Sequence, residues 1–290
     1  MAHNLLKGKK GLIFGALNEL SIAWKVAERA HEEGAELVLT NTPIALRMGS
    51  IDELAAKTNS RLIAADATKL SDLESLFEQT LAHFNGKIDF VLHSIGMSPN
   101  VRKKVPYDLV NYENFLKTLD ISALSFHKMI QTAKKLDAIN DWGSIVALSY
   151  IAAQRTLFEY NDMADAKAAL ESIARSFGYI YGRHKKIRIN TISQSPTPTT
   201  AGQGVKGFGG LMDFTERMSP LGNATALECA DYCITLFSDL TRKVTMQNLY
   251  HDGGFSSMGM SARAMEMYNK SLECKDCNEN PLNAPSDTTT

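Results

Sequence analysis

The chain has 290 residues, with 31 Lys or Arg against 32 Asp or Glu, so its formal net charge is −1. A content of 44% apolar and 22% charged residues is typical of a globular protein and excludes a largely disordered, collagen-like or coiled-coil chain. The charge balance predicts no binding to nucleic acid or to a membrane surface. With four cysteines, no signal peptide and no run of about 18 apolar residues, we expect a soluble cytoplasmic protein.

Apolar runs of strand length alternate with helix-period segments along most of the chain. The predicted strands are 11–14, 36–40, 61–65, 88–93, 144–148, 187–192 and 245–250. The main predicted helices are 21–33, 51–57, 71–84, 112–136, 160–181 and 226–237. Because each strand must return to the same edge of the sheet, the alternation predicts parallel pairing through right-handed crossovers. The result is a single doubly wound, Rossmann-type α/β domain, with a seven-stranded parallel sheet and helices on both faces.

Residues 1–270 are assigned to this domain, including a glycine-rich substrate loop over 197–215. The polar stretch 271–290 is predicted to be a disordered tail. Cys274 and Cys277 form a Cys-x-x-Cys pair in that tail, but no second pair lies close in sequence, so no metal site is predicted. Cys229 and Cys233, four apart in a predicted helix, are expected to be reduced thiols on one helix face.

The segment after the first predicted strand suits a phosphate group. Gly15 permits a tight turn, and Ser21 can cap the next helix, whose free N–H groups and positive dipole end favour a pyrophosphate. The full Gly-x-Gly-x-x-Gly fingerprint is missing, so the loop alone fits an ordinary turn equally well. Two further strand ends favour a nucleotide: Asp66 can accept a hydrogen bond from an adenine amino group, and the segment 93–96 closes the fourth strand.

The choice between NADH and NADPH is open at this stage. Thr40-Asn41-Thr42 stands where a ribose-binding acid usually follows the second strand. Arg47 would suit a 2′-phosphate, although a solvated helical arginine explains it as well. NADH is favoured, and NADP is the less favoured cofactor.

Tyr150, Tyr160 and Lys167 form the candidate catalytic group. On a continuous helix, Tyr160 and Lys167 would share a face, about two turns and roughly 10 Å apart along the axis. Tyr150, at the end of the fifth strand, would enter the same crevice. A tyrosine hydroxyl can donate to a developing oxyanion, while a lysine ammonium can hold a nicotinamide ribose and lower the tyrosine pKa. The alternative is a purely structural role, with an aromatic ring packed on the sheet beside an exposed lysine.

Together these motifs resemble the enoyl-[acyl-carrier-protein] reductases of bacterial type II fatty-acid synthesis, within the short-chain dehydrogenase/reductase superfamily. Ordinary members of that superfamily carry Tyr-x-x-x-Lys. Counted from Tyr160, Ala164 stands where that lysine would be, and the lysine comes at Lys167, which gives Tyr-x6-Lys. The resemblance spans about residues 5–257. Its other motifs, in order, are Gly-x5-Ser-Ile-Ala (15–23), His-Ser-Ile-Gly (93–96), Asp-Ile-Ser (120–122), Leu-Ser-Tyr (148–150) and Asp-Gly-Gly-Phe (252–255).

The resemblance implies hydride transfer to the β-carbon of a trans-2-enoyl thioester, delivered by acyl carrier protein to a homotetrameric enzyme. Tyr160 would stabilise the enolate, Lys167 would bind the nicotinamide ribose, and Tyr150 is the second active-site tyrosine. Ser98 is implied to contact the substrate. The implied cofactor-binding residues are Gly15, Ser21, Ile22, Thr42, Asp66, Ala67, Ile95, Lys167, Thr197, Pro198, Thr199, Thr200 and Ala201.

Two segments depart from the family pattern. Ser195-Pro196-Thr197 replaces the common Gly-Pro-Ile, which predicts a more polar pocket wall. Gly209 and Gly210 replace basic residues that often follow Lys206, which weakens the case for a basic carrier-protein dock there. The loop 200–214, with five glycines, suits a mobile lid over an acyl chain.

Two other functions are weighed against the reductase. A short-chain dehydrogenase/reductase acting on a carbonyl or alcohol is disfavoured by the Tyr–Lys spacing. A catalytically inactive nucleotide-binding scaffold is disfavoured because both tyrosines and the lysine are present. Turnover of a crotonyl thioester, compared with turnover of ketones, discriminates among the three.

Overall fold

Seven parallel strands form the central sheet of the protein. The computed structural model describes residues 3–200, 202 and 207–273. The strands are β1 (Lys10–Phe14), β2 (Glu36–Asn41), β3 (Arg61–Ala64), β4 (Ile88–His93), β5 (Ile139–Ser149), β6 (Arg188–Gln194) and β7 (Asn248–His251). Their order across the sheet is β3-β2-β1-β4-β5-β6-β7, and every neighbouring pair is parallel. The predicted doubly wound α/β fold is confirmed.

Helices cover both faces of this sheet. They are α1 (Ile22–Glu32), α2 (Pro43–Met48), α3 (Ile51–Lys57), α4 (Leu70–Phe84), α5 (Pro99–Arg102), α6 (Tyr112–Leu119), α7 (Ser125–Lys135), α8 (Asp162–Lys185), α9 (Phe208–Met218), α10 (Ala226–Phe237) and α11 (Ala262–Glu273). Within the described ranges, no helix combines the length and apolarity that crossing a membrane requires.

Two apolar layers hold the helices to the sheet. Helices α4, α7 and α8 pack on one face, and α1, α3 and α10 pack on the other. Successive strand residues serve opposite layers, since Leu12 and Phe14 join the first and Ile13 joins the second. Cys229 and Cys233 are buried free thiols on α10, as predicted.

Some elements differ from the sequence prediction. The predicted helix 112–136 contains a π-helical segment, Asp120–Leu124, between α6 and α7. Helix α9 occupies part of the predicted glycine-rich lid, and α2 and α11 were not predicted. Helix α11 continues to Glu273, past the boundary drawn at residue 270, and the remainder of the predicted tail, with Cys274 and Cys277, lies outside the described residues.

Candidate active site

A cleft of about 970 Å³ opens at the carboxyl ends of the strands. It lies between the neighbouring strands β1 and β4, where the helices that follow the two strands pack on opposite faces of the sheet. Doubly wound sheets bind nucleotides at this point. Pro198 does not line the cleft, and Ala201 lies outside the described residues. The other predicted site residues all line it: Gly15, Ser21, Ile22, Thr42, Asp66, Ala67, Ile95, Ser98, Tyr150, Tyr160, Lys167, Thr197, Thr199 and Thr200.

The turn after β1 requires a glycine for the protein's own packing. Gly15 has φ +94°, and a Cβ there would lie 2.0 Å from the carbonyl oxygen of Ser94. The side chain of Ser21 does not cap α1, contrary to the prediction, because its Oγ accepts from the backbone N–H groups of Leu17 (3.1 Å) and Asn18 (3.2 Å). The first turn of α1 therefore has neither a side-chain cap nor an acidic residue, and it can receive an anionic pyrophosphate.

The other end of the cleft has the features that adenosine binding needs. Burial alone would raise the pKa of Asp66, but hydrogen bonds from the Thr68 hydroxyl (2.7 Å) and backbone (3.0 Å), with nearby lysines, lower it instead. This carboxylate stays charged and able to accept from an amino group. Thr42 caps α2 through Ala45. Arg47 is exposed and does not line the cleft, so it is not placed to meet a 2′-phosphate.

Tyr160 does not lie on a helix, which corrects the predicted helical face. Helix α8 begins at Asp162, and its N-cap, Asn161, accepts from the Asp162 N–H (2.8 Å) through its own side chain. Glu159 (φ 63°) and Asn161 (φ 54°) both have left-handed backbones. This conformation is incompatible with a continuing right-handed helix. Tyr160 and Lys167 still line one cleft. A bent segment before the helix brings Tyr160 there, whereas Lys167 reaches it from α8.

The two candidate tyrosines lie side by side. Their ring centroids are 4.9 Å apart and their planes are inclined by 50°. Burial raises the pKa of both Tyr160 and Tyr150, and for Tyr150 the neighbouring Tyr160 and Asp252 raise it further. The expected lowering of the Tyr160 pKa by Lys167 is therefore wrong, because burial dominates. Neither hydroxyl bonds to a residue that the structure describes, so both are neutral donors available to a ligand.

Lys167 is a buried ammonium at the floor of the cleft. Its Nζ donates to the Leu148 carbonyl at 2.8 Å, and its other N–H groups have no partner in the described ranges. Burial lowers the pKa of Lys167 to about 8, and Glu171 opposes that change. A lysine ammonium has three donors, so two are left for a ligand's hydroxyl groups.

Glu171 is a site-supporting residue that the sequence analysis missed. It is buried one turn after Lys167 on α8 and accepts from the Ser149 hydroxyl at 2.6 Å and from the Gln154 amide at 3.0 Å. Lys167 and Glu171 thus fix two consecutive residues at the end of β5, directly before Tyr150. Their i, i+4 spacing is the signal that would have indicated this shared role.

A buried carboxylate, Asp162, organises the wall beside Tyr160. It is fully buried and accepts from the Ser98 hydroxyl (2.5 Å), the Asn100 amide (2.8 Å) and the Thr118 hydroxyl (2.9 Å). Ser98 also accepts from the Val101 N–H at 3.0 Å. The hydroxyl of Ser98 is thus committed to the protein, which leaves its backbone for the predicted substrate contact.

We expect Asp162→Ala to lower the free energy of unfolding by about 3 kcal/mol, because three buried donors would lose their charged acceptor. Equilibrium urea unfolding measures this loss. The control is Asp165→Ala, three residues along α8, whose carboxylate accepts, among the residues that the structure describes, only from the exposed Tyr107 hydroxyl (3.2 Å). A loss for Asp162→Ala as small as that for Asp165→Ala would contradict the assigned role.

Polar side chains after β6 are satisfied by the protein itself. Ser195 Oγ accepts from the Ala224 N–H at 2.7 Å. Thr197 Oγ1 donates to the Ser195 carbonyl at 3.0 Å and accepts from the Gln194 amide at 3.2 Å. These bonds leave the pocket wall less polar than the Ser-Pro-Thr sequence predicts.

His93 closes β4 as a core histidine. Its Nε2 lies 2.8 Å from Ser125 Oγ, and the side chain is buried. Burial, and secondarily the charge of Lys167, lowers the pKa of His93 to about 3. A ring that stays neutral throughout the physiological range supports packing, and we assign it no proton transfer.

Comparisons with known proteins agree on one family. The family model described as enoyl-(acyl carrier protein) reductase matches residues 15–256. Enoyl-[acyl-carrier-protein] reductase [NADH] 1 of Rhizobium meliloti is 35% identical over 263 residues, which are 90% of this chain and 95% of that protein. The corresponding NADH enzyme of Aquifex aeolicus is 34% identical over 267 residues, which are 91% and 97% of the two chains.

Solved structures give the same result. The crystal structure of a FabI–NADH complex from Alistipes finegoldii is 72% identical with a TM-score of 0.91, covering 96% of this chain and 98% of that one. The Bacillus cereus enoyl-acyl carrier protein reductase with NADP+ and indole naphthyridinone is 32% identical with a TM-score of 0.83, covering 90% and 100%. The family model's span includes both tyrosines and every cleft-lining residue except Phe14, and the chain belongs to the enoyl-(acyl carrier protein) reductase family.

Proposed function

We propose that the protein reduces the trans-2 double bond of enoyl-acyl-carrier-protein thioesters, with NADH, in fatty-acid elongation. The observation that carries this proposal is the cleft in which two unbonded tyrosine hydroxyls and the buried Lys167 ammonium lie together. Such a group supplies neutral donors for a developing oxyanion and a cation for a ribose. The family resemblance adds the substrate class.

The residues of the cleft fit a dinucleotide along its whole length. The uncapped first turn of α1 suits the pyrophosphate, and the charged Asp66 suits the adenine amino group. Lys167 would hold the nicotinamide ribose. We assign further contacts to Gly15, Ser21, Ile22, Thr42, Ala67, Ile95, Thr197, Thr199 and Thr200, which all line the cleft.

The protein's part in the reaction is to stabilise charge on the thioester oxygen. When bound, NADH would supply a hydride to the β-carbon of the substrate, and a proton taken from solvent at the α-carbon would complete the reduction. Tyr160 then donates a hydrogen bond to the oxygen on which negative charge develops, and Tyr150 supports it from the same wall. Because burial keeps both phenols protonated, they act as donors throughout the working pH range.

The test is absorbance at the nicotinamide band with crotonyl thioester, comparing NADH with NADPH. We expect rapid loss with NADH and little use of NADPH, since Arg47 is not among the residues that line the cleft. The second candidate, a carbonyl or alcohol oxidoreductase, requires turnover of ketones instead. Consumption of NADH with ketones and none with the thioester would replace the proposal by that alternative.

NADH affinity is expected to fall as pH rises through about 8. The pKa of Lys167 is lowered by burial to about 8, so the side chain loses its proton above that pH and is charged below it. Only the charged form provides an ammonium to the ribose. Fluorescence titration between pH 6.5 and pH 9.5 measures the dissociation constant, and a constant value across the range would contradict the assignment.

We also propose a homotetramer in the cytoplasm, as the family resemblance implies. Two observations are compatible with these assignments. The buried free thiols Cys229 and Cys233 suit a reducing compartment, and α11 presents exposed apolar side chains, among them Met265 and Tyr268. Light scattering after size-exclusion chromatography measures the oligomeric state, and cell fractionation locates the protein.

A further inference from the structure

Three consecutive cations, Arg102, Lys103 and Lys104, form an exposed group that we call the rim triplet. None of the three forms an ion pair with any residue in the described ranges. Many other surface cations here do, for example Lys57 with Glu28 and Lys135 with Glu74. The rim triplet is therefore a local concentration of positive charge in a chain whose net charge is −1.

One member of the rim triplet reaches the active-site cleft, and Lys104 lines a separate small cavity that shares Val101 with the cleft lining. Arg102 is the last residue of α5 and itself lines the cleft. Helix α5 follows directly after Ser98, in the wall beside Tyr160. A macromolecule held by these cations would be positioned to present a flexible arm to the cleft.

Buried hydrogen bonds hold the rim triplet in place. Asn100 is fully buried, and its side-chain amide donates to Asp162 at 2.8 Å. Its backbone carbonyl accepts from the Val105 N–H at 3.1 Å. Lys104 has φ 58°, so the chain turns sharply between these two anchors. Cations on an anchored turn are pre-organised, which reduces the ordering cost of binding a partner.

The described part of the opposite rim offers no comparable charge. Gly209 and Gly210 lie in the first turn of α9, where the family often has basic residues. The next cation, Arg217, is already bonded to Asp213 at 2.8 Å. In the described ranges, the unpaired surface cations of the cleft lining are Arg102 and Lys117, on the neighbouring helices α5 and α6, so this side of the mouth carries the positive charge.

We propose that the rim triplet is the docking surface for the acidic acyl carrier protein, whose thioester arm then enters the cleft beside Arg102. This inference rests on the proposed function, because it presumes a carrier-borne substrate. Opposite charges on two such surfaces steer their encounter and fix its orientation. Exposed Asp108, four residues after Lys104, and exposed Glu159, which lines the small cavity with Lys104, offset part of the three positive charges and leave a smaller excess.

The test compares two substrates with one variant, Lys103→Glu combined with Lys104→Glu. For crotonyl-acyl carrier protein we expect kcat/KM to fall about tenfold, mainly through KM, and to become less sensitive to salt. For the crotonyl thioester of N-acetylcysteamine, which lacks the carrier, kcat/KM is expected to stay within about twofold of wild type. Lys103→Arg combined with Lys104→Arg keeps both positive charges, so its kcat/KM for crotonyl-acyl carrier protein should equal that of wild type.

Lys7→Glu combined with Lys134→Glu is the matched control. Both lysines are exposed, form no ion pair in the described ranges and lie outside the cleft lining. This double substitution changes the net charge by the same amount as the rim variant does. Normal carrier kinetics in the rim variant, or an equal loss with the small thioester, would overturn the docking assignment. If wild-type protein reduces neither thioester, the proposed function itself fails, which is a distinguishable result.

Discussion

Replacing Tyr160 by Phe is expected to lower kcat for crotonyl thioester by about 10²- to 10³-fold, the loss that accompanies removal of one oxyanion donor. The hydroxyl makes no bond within the described residues, so its removal leaves no protein group unsatisfied. The phenyl ring keeps its packing against Tyr150. Steady-state kinetics measure the loss, and a fluorescence titration should give an NADH dissociation constant within about twofold of wild type.

Two further Tyr→Phe substitutions complete that experiment, the first of them as its control. Tyr250→Phe removes a partly exposed hydroxyl that bonds to Gln154 outside the cleft lining, and it should leave kcat nearly unchanged. Tyr150→Phe is expected to lower kcat less than Tyr160→Phe, since we assign Tyr150 the supporting role. If Tyr160→Phe retained normal turnover and Tyr150→Phe did not, the two roles would be reversed.

Replacing Lys167 by Met is expected to raise the NADH dissociation constant by about 10- to 100-fold. Each hydrogen bond from an ammonium to a neutral acceptor contributes about 1.5–3 kcal/mol, and the ribose would lose such bonds. Methionine retains much of the length and apolar character of the lysine stem, so the buried site stays filled. Isothermal titration or nucleotide fluorescence measures the change.

The same variant provides its own internal control. With no ionisable group at position 167, the decline in NADH affinity above about pH 8 should disappear. Thermal unfolding without nucleotide should show that the variant still folds. The substitution removes the hydrogen bond from Lys167 to the Leu148 carbonyl, but it also removes the free-energy cost of burying the ammonium. An unaltered dissociation constant in a folded variant would refute the ribose role.

Much of the fold was predictable because it follows from local pattern. Every strand was located, since apolar runs bounded by polar turns determine strands buried on both faces, although β5 begins at Ile139, five residues before the predicted start at Ser144. Helix α9 was missed because its first turn carries Gly209 and Gly210, which have low helix propensity. There the packing of α9 against α11 outweighs that local preference.

The candidate site was predictable in its members and less so in its geometry. Motif order identified the residues that line the cleft, but spacing alone placed Tyr160 on a helix. The left-handed conformations of Glu159 and Asn161 depend on tertiary contacts that no local pattern displays. For the same reason the bonds of Asp162 to Ser98 and Thr118, which are 64 and 44 residues away in sequence, were not foreseen.

The bent segment that carries Tyr160 has a consequence for which bond is reduced. In carbonyl reduction, the carbon that receives the hydride is bonded directly to the oxygen that needs a donor. In an enoyl thioester, two carbon atoms separate the hydride-accepting carbon from that oxygen, so the donor must stand further along the conjugated chain. Met163, four residues before Lys167, occupies the position where ordinary relatives carry tyrosine on the helix, and it lines the cleft. We propose that the two positive-φ residues, Glu159 and Asn161, suit the protein to a conjugated acceptor because they carry the phenol off the helix.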